Sequence, residues 1–237
     1  MENCFGMEQV TDLEVGAGAV QLTFREAADN EIRVTAENLE GGVYTCELRG
    51  SRLVVSYQPR GIRVIRGIGQ MKTRIIMYFP AGSAFDNVEM EIGACELYMD
   101  AAPFSCKRMR MDIGAGKWKA KQLSVFDKLE IEVGAGKVKL SESKAGSLDI
   151  SCGAGACVFA GRIDGDINVS CGVGKCGLRL DNEENDFCYD ISCALGKVVV
   201  NDSKASCVST QRFGNGRGCL GTATLECGIG EIEVRTR

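Results

Sequence analysis

Residues 129–140 read Leu129-Glu130-Ile131-Glu132-Val133-Gly134-Ala135-Gly136-Lys137-Val138-Lys139-Leu140. Up to the first glycine, Leu129, Ile131 and Val133 alternate with Glu130 and Glu132, the period-two pattern of a strand with one buried face. Beyond the second glycine the apolar residues resume as Val138 and Leu140, in a shifted phase, with Lys137 and Lys139 as the polar partners. The shift marks a corner between two strands. Glycine suits a corner where the backbone needs a positive φ or where two backbones approach closely, because a Cβ obstructs both.

The stretch recurs along the chain. Intact copies are Val15-Gly16-Ala17-Gly18-Ala19-Val20, Ile113-Gly114-Ala115-Gly116-Lys117-Trp118, Cys152-Gly153-Ala154-Gly155-Ala156-Cys157, Cys171-Gly172-Val173-Gly174-Lys175-Cys176 and Cys227-Gly228-Ile229-Gly230-Glu231-Ile232. Ile92-Gly93-Ala94-Cys95 lacks the second glycine, and Cys193-Ala194-Leu195-Gly196 lacks the first. From residue 93 onward the corners start at 93, 114, 134, 153, 172, 194 and 228, so the intervals are 21, 20, 19, 19, 22 and 34. A strand-corner-strand unit repeating about every 20 residues without helical periodicity predicts an all-β chain, a single-domain β-solenoid resembling a right-handed parallel β-helix. Residues 91–237 form its regular rungs, with an insertion near 209–218 that absorbs the long last interval. Residues 1–90 form a less regular β portion of the same solenoid.

Composition narrows the chemistry. The 237 residues include 30 Gly, 13 Cys and 3 Pro but no His, which excludes Ser-His and Cys-His nucleophile pairs and every His-ligated metal. A net charge of −4 argues against attraction of nucleic acid or anionic membrane to the chain as a whole, so no specific nucleic-acid binding is expected. There is no apolar run long enough for a transmembrane segment, and the first residues lack the pattern of a secretory signal. The expected location is therefore cytoplasmic, with reduced thiols in preference to a disulfide framework.

Two sets of residues stand out as candidates. Cys152 and Cys157, then Cys171 and Cys176, form two Cys-x4-Cys pairs one rung apart, followed by Cys193 and Cys227. Other rungs place Val, Ile, Leu or Trp in those slots, so the first reading is a cysteine-rich core in which the thiol is a small buried hydrophobe, with no metal and no cofactor. The alternative is a metal site on Cys152, Cys157, Cys171 and Cys176. Lys117, Lys119, Lys137, Lys139, Lys175 and Lys197 follow the corners on the outward side and, once stacked, form a candidate anion-binding stripe beside an acidic one. A solvated exterior is the alternative for that face. The basic segment from Gln58 to Arg74, with Arg60, Arg63, Arg66 and Lys72, reads as a loop without a phosphate-binding motif. Stacked carboxylates such as Glu130 and Asp149 keep a carbohydrate-active enzyme among the readings, but no catalytic residues are assigned.

The strand ending in proline, Ile75-Ile76-Met77-Tyr78-Phe79-Pro80, followed by strands ending in Gly-x-Gly corners, resembles a bacterial putative adhesin family of β-strand-repeat domains. The resemblance implies an interaction module of unknown ligand and allows cell-envelope association; the expected partner of a non-catalytic module is an unknown protein or, from the lysine stripe, an anionic polymer. The alternative is a bactofilin-like structural scaffold, a homo-oligomer joined through the solenoid ends. The last strand runs into Glu231-Ile232-Glu233-Val234 without an evident cap, so the chain itself must cover it or a second copy must pair with it.

Overall fold

The alternation at residues 129–133 becomes burial: Leu129, Ile131 and Val133 are at most 2% exposed in a computed structural model of the chain. The structure describes residues 1–39, 41–60, 73–99, 104–201, 203–206, 209–214 and 219–237. The chain is all-β, 71% strand and 3% helix, and its strands join in one barrel-like, nearly closed sheet. A continuous apolar cluster from Val10 to Val234 fills the interior. None of the helices among the described residues is long and apolar enough to cross a membrane.

The first seven strands are β1 (Glu2–Gly6), β2 (Asp12–Ala17), β3 (Gln21–Glu26), β4 (Glu31–Glu37), β5 (Gly42–Arg49), β6 (Arg52–Pro59) and β7 (Arg74–Phe79). The middle of the chain forms β8 (Ser83–Ile92), β9 (Glu96–Met99), β10 (Phe104–Ile113), β11 (Lys117–Lys121) and β12 (Ser124–Val133). These lead into β13 (Lys137–Cys152), β14 (Ala156–Ile163), β15 (Ile167–Cys171) and β16 (Lys175–Leu180). Last come β17 (Phe187–Cys193), β18 (Lys197–Val200), β19 (Ser203–Ser206), β20 (Ser209–Phe213), β21 (Gly221–Cys227) and β22 (Glu231–Arg235).

Strands flanking one corner form a layer, and layers pair in parallel. Leu129 lies between Met109 and Leu148, and Val133 between Ile113 and Cys152, so equivalent residues about 20 apart form ladders. From β8/β9 through β10/β11, β12/β13 and β13/β14 to β15/β16 the layers follow chain order. At both ends they do not. The β2/β3 layer sits between β6/β7 and β8/β9. The β21/β22 layer sits between β15/β16 and β17/β18.

This interleaving changes the expected end of the ladder. Ile232 and Val234 lie inside it, paired with Cys176 and Leu178 on one side and with Val198 and Val200 on the other. The chain covers its own last strand. The outer edges of β17 and β18 carry the antiparallel strands β20 and β19, and β6 and β7 carry β5 and β4. Residues 209–213, expected to loop out, thus form a capping strand. Positions 215–218 of that insertion, and residues 61–72 of the basic segment, lie outside the described residues.

The corners show which property of glycine is used. A Cβ on Gly155 would lie 2.4 Å from the Gly136 carbonyl oxygen, and on Gly136 2.6 Å from that of Gly116. On Gly174 or Gly230 the clash with the carbonyl below is 2.3 Å, and Gly116 meets Cys95 O at 2.3 Å. None of these glycines has a positive φ; close backbone approach is the cause. The first glycines of the motif, Gly114, Gly134, Gly153, Gly172 and Gly228, are less confined, with distances of 2.9–3.3 Å, and Ala194 occupies the same slot.

Gly16 departs from the motif reading. It lies within β2, beside Ser56 and Glu91, and is no corner. Gly18 is the first corner glycine there, with its carbonyl under Gly93 and accepting the Ala94 N–H. The N-terminal copy is therefore shifted by two residues, so Ala17, and not Val15, pairs with Ile92.

Candidate functional site

The outward face after the corners is where charge collects. Each strand there begins at the corner, so the residue after the second glycine faces solvent and the next enters the core: Lys117, Lys119, Lys137 and Lys139 are exposed, while Trp118 and Val138 are buried. Lys117 pairs with Lys137 and Lys119 with Lys139, one strand apart. Such neighbours lie about 4.8 Å apart across strands and about 7 Å apart along a strand.

The six lysines do not form one stripe. The first row runs Glu96, Lys117, Lys137, Ala156, Lys175, Glu231, Lys197, and its carboxylates neutralise three of the lysines. Lys117 Nζ is 3.0 Å from Glu96, and Lys175 and Lys197 are 3.1 and 3.3 Å from Glu231. The hydrogen bond from Lys117 and that from Tyr98 hold the Glu96 carboxyl below its ordinary range; those from Lys175 and Lys197 do the same for Glu231. Among the described residues Lys119, Lys137 and Lys139 have no carboxylate partner, and Lys119 Nζ lies 5.8 Å from the Tyr98 ring centroid. What remains is a compact three-lysine patch.

The acidic side is a shallow groove of about 710 Å³ along the corners, lined by Glu91, Asp112, Glu132, Ser151 and Ser170. Arg110 bridges its carboxylates, 2.6 Å from Glu132 and 3.3 Å from Asp112, and also lies 3.7 Å from Glu130. Lys128 Nζ lies 2.6 Å from Glu130 and 2.7 Å from Asp149. Glu130 and Asp149 thus share one ammonium partner, whereas glycosidic acid-base chemistry uses two carboxyls in unlike environments.

Inside, one ladder reads Val133, Cys152, Cys171, Cys227, Cys193, and the parallel one Val138, Cys157, Cys176, Ile232, Val198. The Sγ atoms of Cys152, Cys171 and Cys176 all lie within 4.8 Å of one another. Cys157, the fourth candidate, is outside that trio and fully buried. A hydrogen bond from Cys176 holds the Cys152 thiol below the usual thiol range, and the same contact pushes Cys176 up. Burial raises Cys157, with the neighbouring Cys152 and Cys171 adding to it, and burial alone raises Cys106 to about 12.

Two features escaped the sequence reading. Val173, Ile229 and Leu195 occupy the middle position of consecutive corners, 62–67% exposed, where Ala115, Ala135 and Ala154 stand elsewhere. Their size at an outward position was the available signal. The second is the half-buried pair Cys188 and Cys219, whose sulfurs are 2.8 Å apart although 31 residues separate them. Oxidised glutathione is expected to link them: each thiol loses its proton, and the two electrons reduce the glutathione disulfide to two thiols. Peptide mapping should find this bridge in the intact protein and none in Cys188→Ser; failure to form it would show the pair is not in reach.

No family model and no curated protein matches the chain. Solved structures do. A putative lipid binding protein from Parabacteroides distasonis is 12% identical at a TM-score of 0.46, covering 100% of this chain and 96% of its own. A putative adhesin from Parabacteroides merdae is 15% identical at 0.45, covering 100% and 95%. A putative cell adhesion protein from Clostridium sporogenes is 13% identical at 0.37, covering 100% and 99%. The role of this chain has to be argued from its own surface.

Proposed function

We propose that the chain is a right-handed β-solenoid serving as a non-catalytic, adhesin-like interaction module, and that Lys119, Lys137 and Lys139 bind an anionic polymer. The solenoid reading is supported by parallel ladders between residues about 20 apart and by corners that stack glycine on backbone. The observation that carries the binding surface is the three adjacent lysines without a carboxylate partner, on a chain whose other stacked lysines are paired. A rigid ladder fixes their spacing, so binding a polyanion orders little besides the side chains.

Heparin chromatography with a sodium chloride gradient tests this. The wild-type protein is expected to be retained and to elute at lower salt when Lys119, Lys137 and Lys139 are all replaced by serine, because ionic contacts at a surface are screened by salt. Unchanged elution would refute the assignment. Glu231→Gln should shift elution the other way, since it releases Lys175 and Lys197.

The same ion pairs set a pH dependence. Glu96 and Glu231 titrate below their unfolded values, so their contribution to stability is present above the ordinary carboxylate range and is lost as pH falls through the depressed values. Retention on heparin is expected to strengthen over that acidic window as lysines lose their partners. Constant retention through it would contradict the pairing.

A further inference from the structure

We infer that Cys152, Cys171 and Cys176 form a three-thiolate site for a soft, closed-shell metal cation of the copper(I) or zinc(II) class. The three sulfurs come from two adjacent layers, converge within 4.8 Å of one another, and are closed off from solvent at 1–3% exposure. A cation about 2.3 Å from each of three sulfurs requires them to be roughly 4 Å apart, which this spacing meets with small side-chain rotations. Thiolates select cations of this class over hard ones.

The surroundings treat the three sulfurs unequally. The contact with Cys176 and the neighbouring backbone of Lys175 and Gly155 lower Cys152, whereas burial raises Cys171 and the contact with Cys152 raises Cys176, so the convergence of the three sulfurs carries the site and the cation must displace two firmly held protons. Glycine corners make room for the cluster: a Cβ on Gly174 would lie 2.8 Å from Cys152 Sγ, and one on Gly230 would lie 2.9 Å from Cys171 Sγ. The same ladders hold Val133, Val138, Val198 and Ile232, so apolar side chains already serve these positions where only packing is required. On binding, each ligating thiol releases its proton to solvent, and no electrons are transferred.

Metal titration tests the site in the full chain carrying serine at Cys4, Cys46, Cys188, Cys207 and Cys219, which leaves the eight buried thiols, Cys95, Cys106, Cys152, Cys157, Cys171, Cys176, Cys193 and Cys227. Copper(I), supplied anaerobically against a chromogenic chelator, and zinc(II) are added separately. One equivalent of at least one of them should bind and raise the thermal midpoint. That equivalent should vanish in Cys152→Val/Cys171→Val/Cys176→Val, which keeps a side chain the ladders already use, and circular dichroism should show that variant folded. Cys157→Val should retain it. Binding of neither ion, or an equivalent that survives the triple substitution, overturns the site. Loss of binding in Cys157→Val overturns the three-donor assignment in favour of four sulfurs.

Discussion

Gly155→Ala is expected to destabilise the protein by about 3 kcal/mol, at the upper end of what an added methyl costs in a packed interior. The new Cβ would meet the Gly136 carbonyl oxygen at 2.4 Å and Val133 Cγ1 at 2.7 Å, and neither is the free end of a flexible side chain. Relief requires moving one layer away from the next. That movement stretches the hydrogen bond from Ala156 N–H to Gly136 O, now 2.9 Å, and leaves a carbonyl unsatisfied. Gly114→Ala is the matched control: its Cβ stops 3.3 Å from Gly93 O, and a cost within about 1 kcal/mol is expected. Urea unfolding followed by circular dichroism measures both. Equal losses at the two positions would mean that layer contact is not what selects the second glycine.

Trp118→Ala should cost about 3–5 kcal/mol. Trp118 is fully buried between Leu97 and Val138 and is the largest side chain in its ladder. Truncation opens a cavity that the rigid strands above and below cannot close. Its indole N–H is buried without a partner. Trp118→Phe removes the same unpaired donor but keeps an aromatic ring in the cavity, so it is expected to cost much less than Trp118→Ala. Similar losses for the two variants would mean that cavity volume does not set the cost at this position.

The all-β character and the ladder partners of the middle layers were legible because alternation and the glycine spacing are local. Leu129 above Met109 and Cys152 above Val133 follow directly from a period of about 20. Stacking order at the ends was not legible, since every layer presents similar apolar columns to its neighbours and nothing local says that β21, and not β17, belongs on β15. One break in the lysine stripe has the same origin: Glu231 falls between Lys175 and Lys197 only because the layers interleave. Gly16 misled because a Gly-x-Gly run fits a corner in two registers, and the strand above β2 decides between them.

Interleaving also imposes an order of assembly during synthesis. A layer made of residues 187–200 leaves the ribosome before its neighbour, residues 221–235, exists. Each middle layer stacks on one that precedes it in the chain, whereas Phe187, Ile191 and Val198 are paired with strands that follow them. Contacts between segments this far apart are slow to form. β21 and β22 pair on both edges, with β15 and β16 on one side and β17 and β18 on the other, so these two strands join pieces that are otherwise not in contact through this ladder.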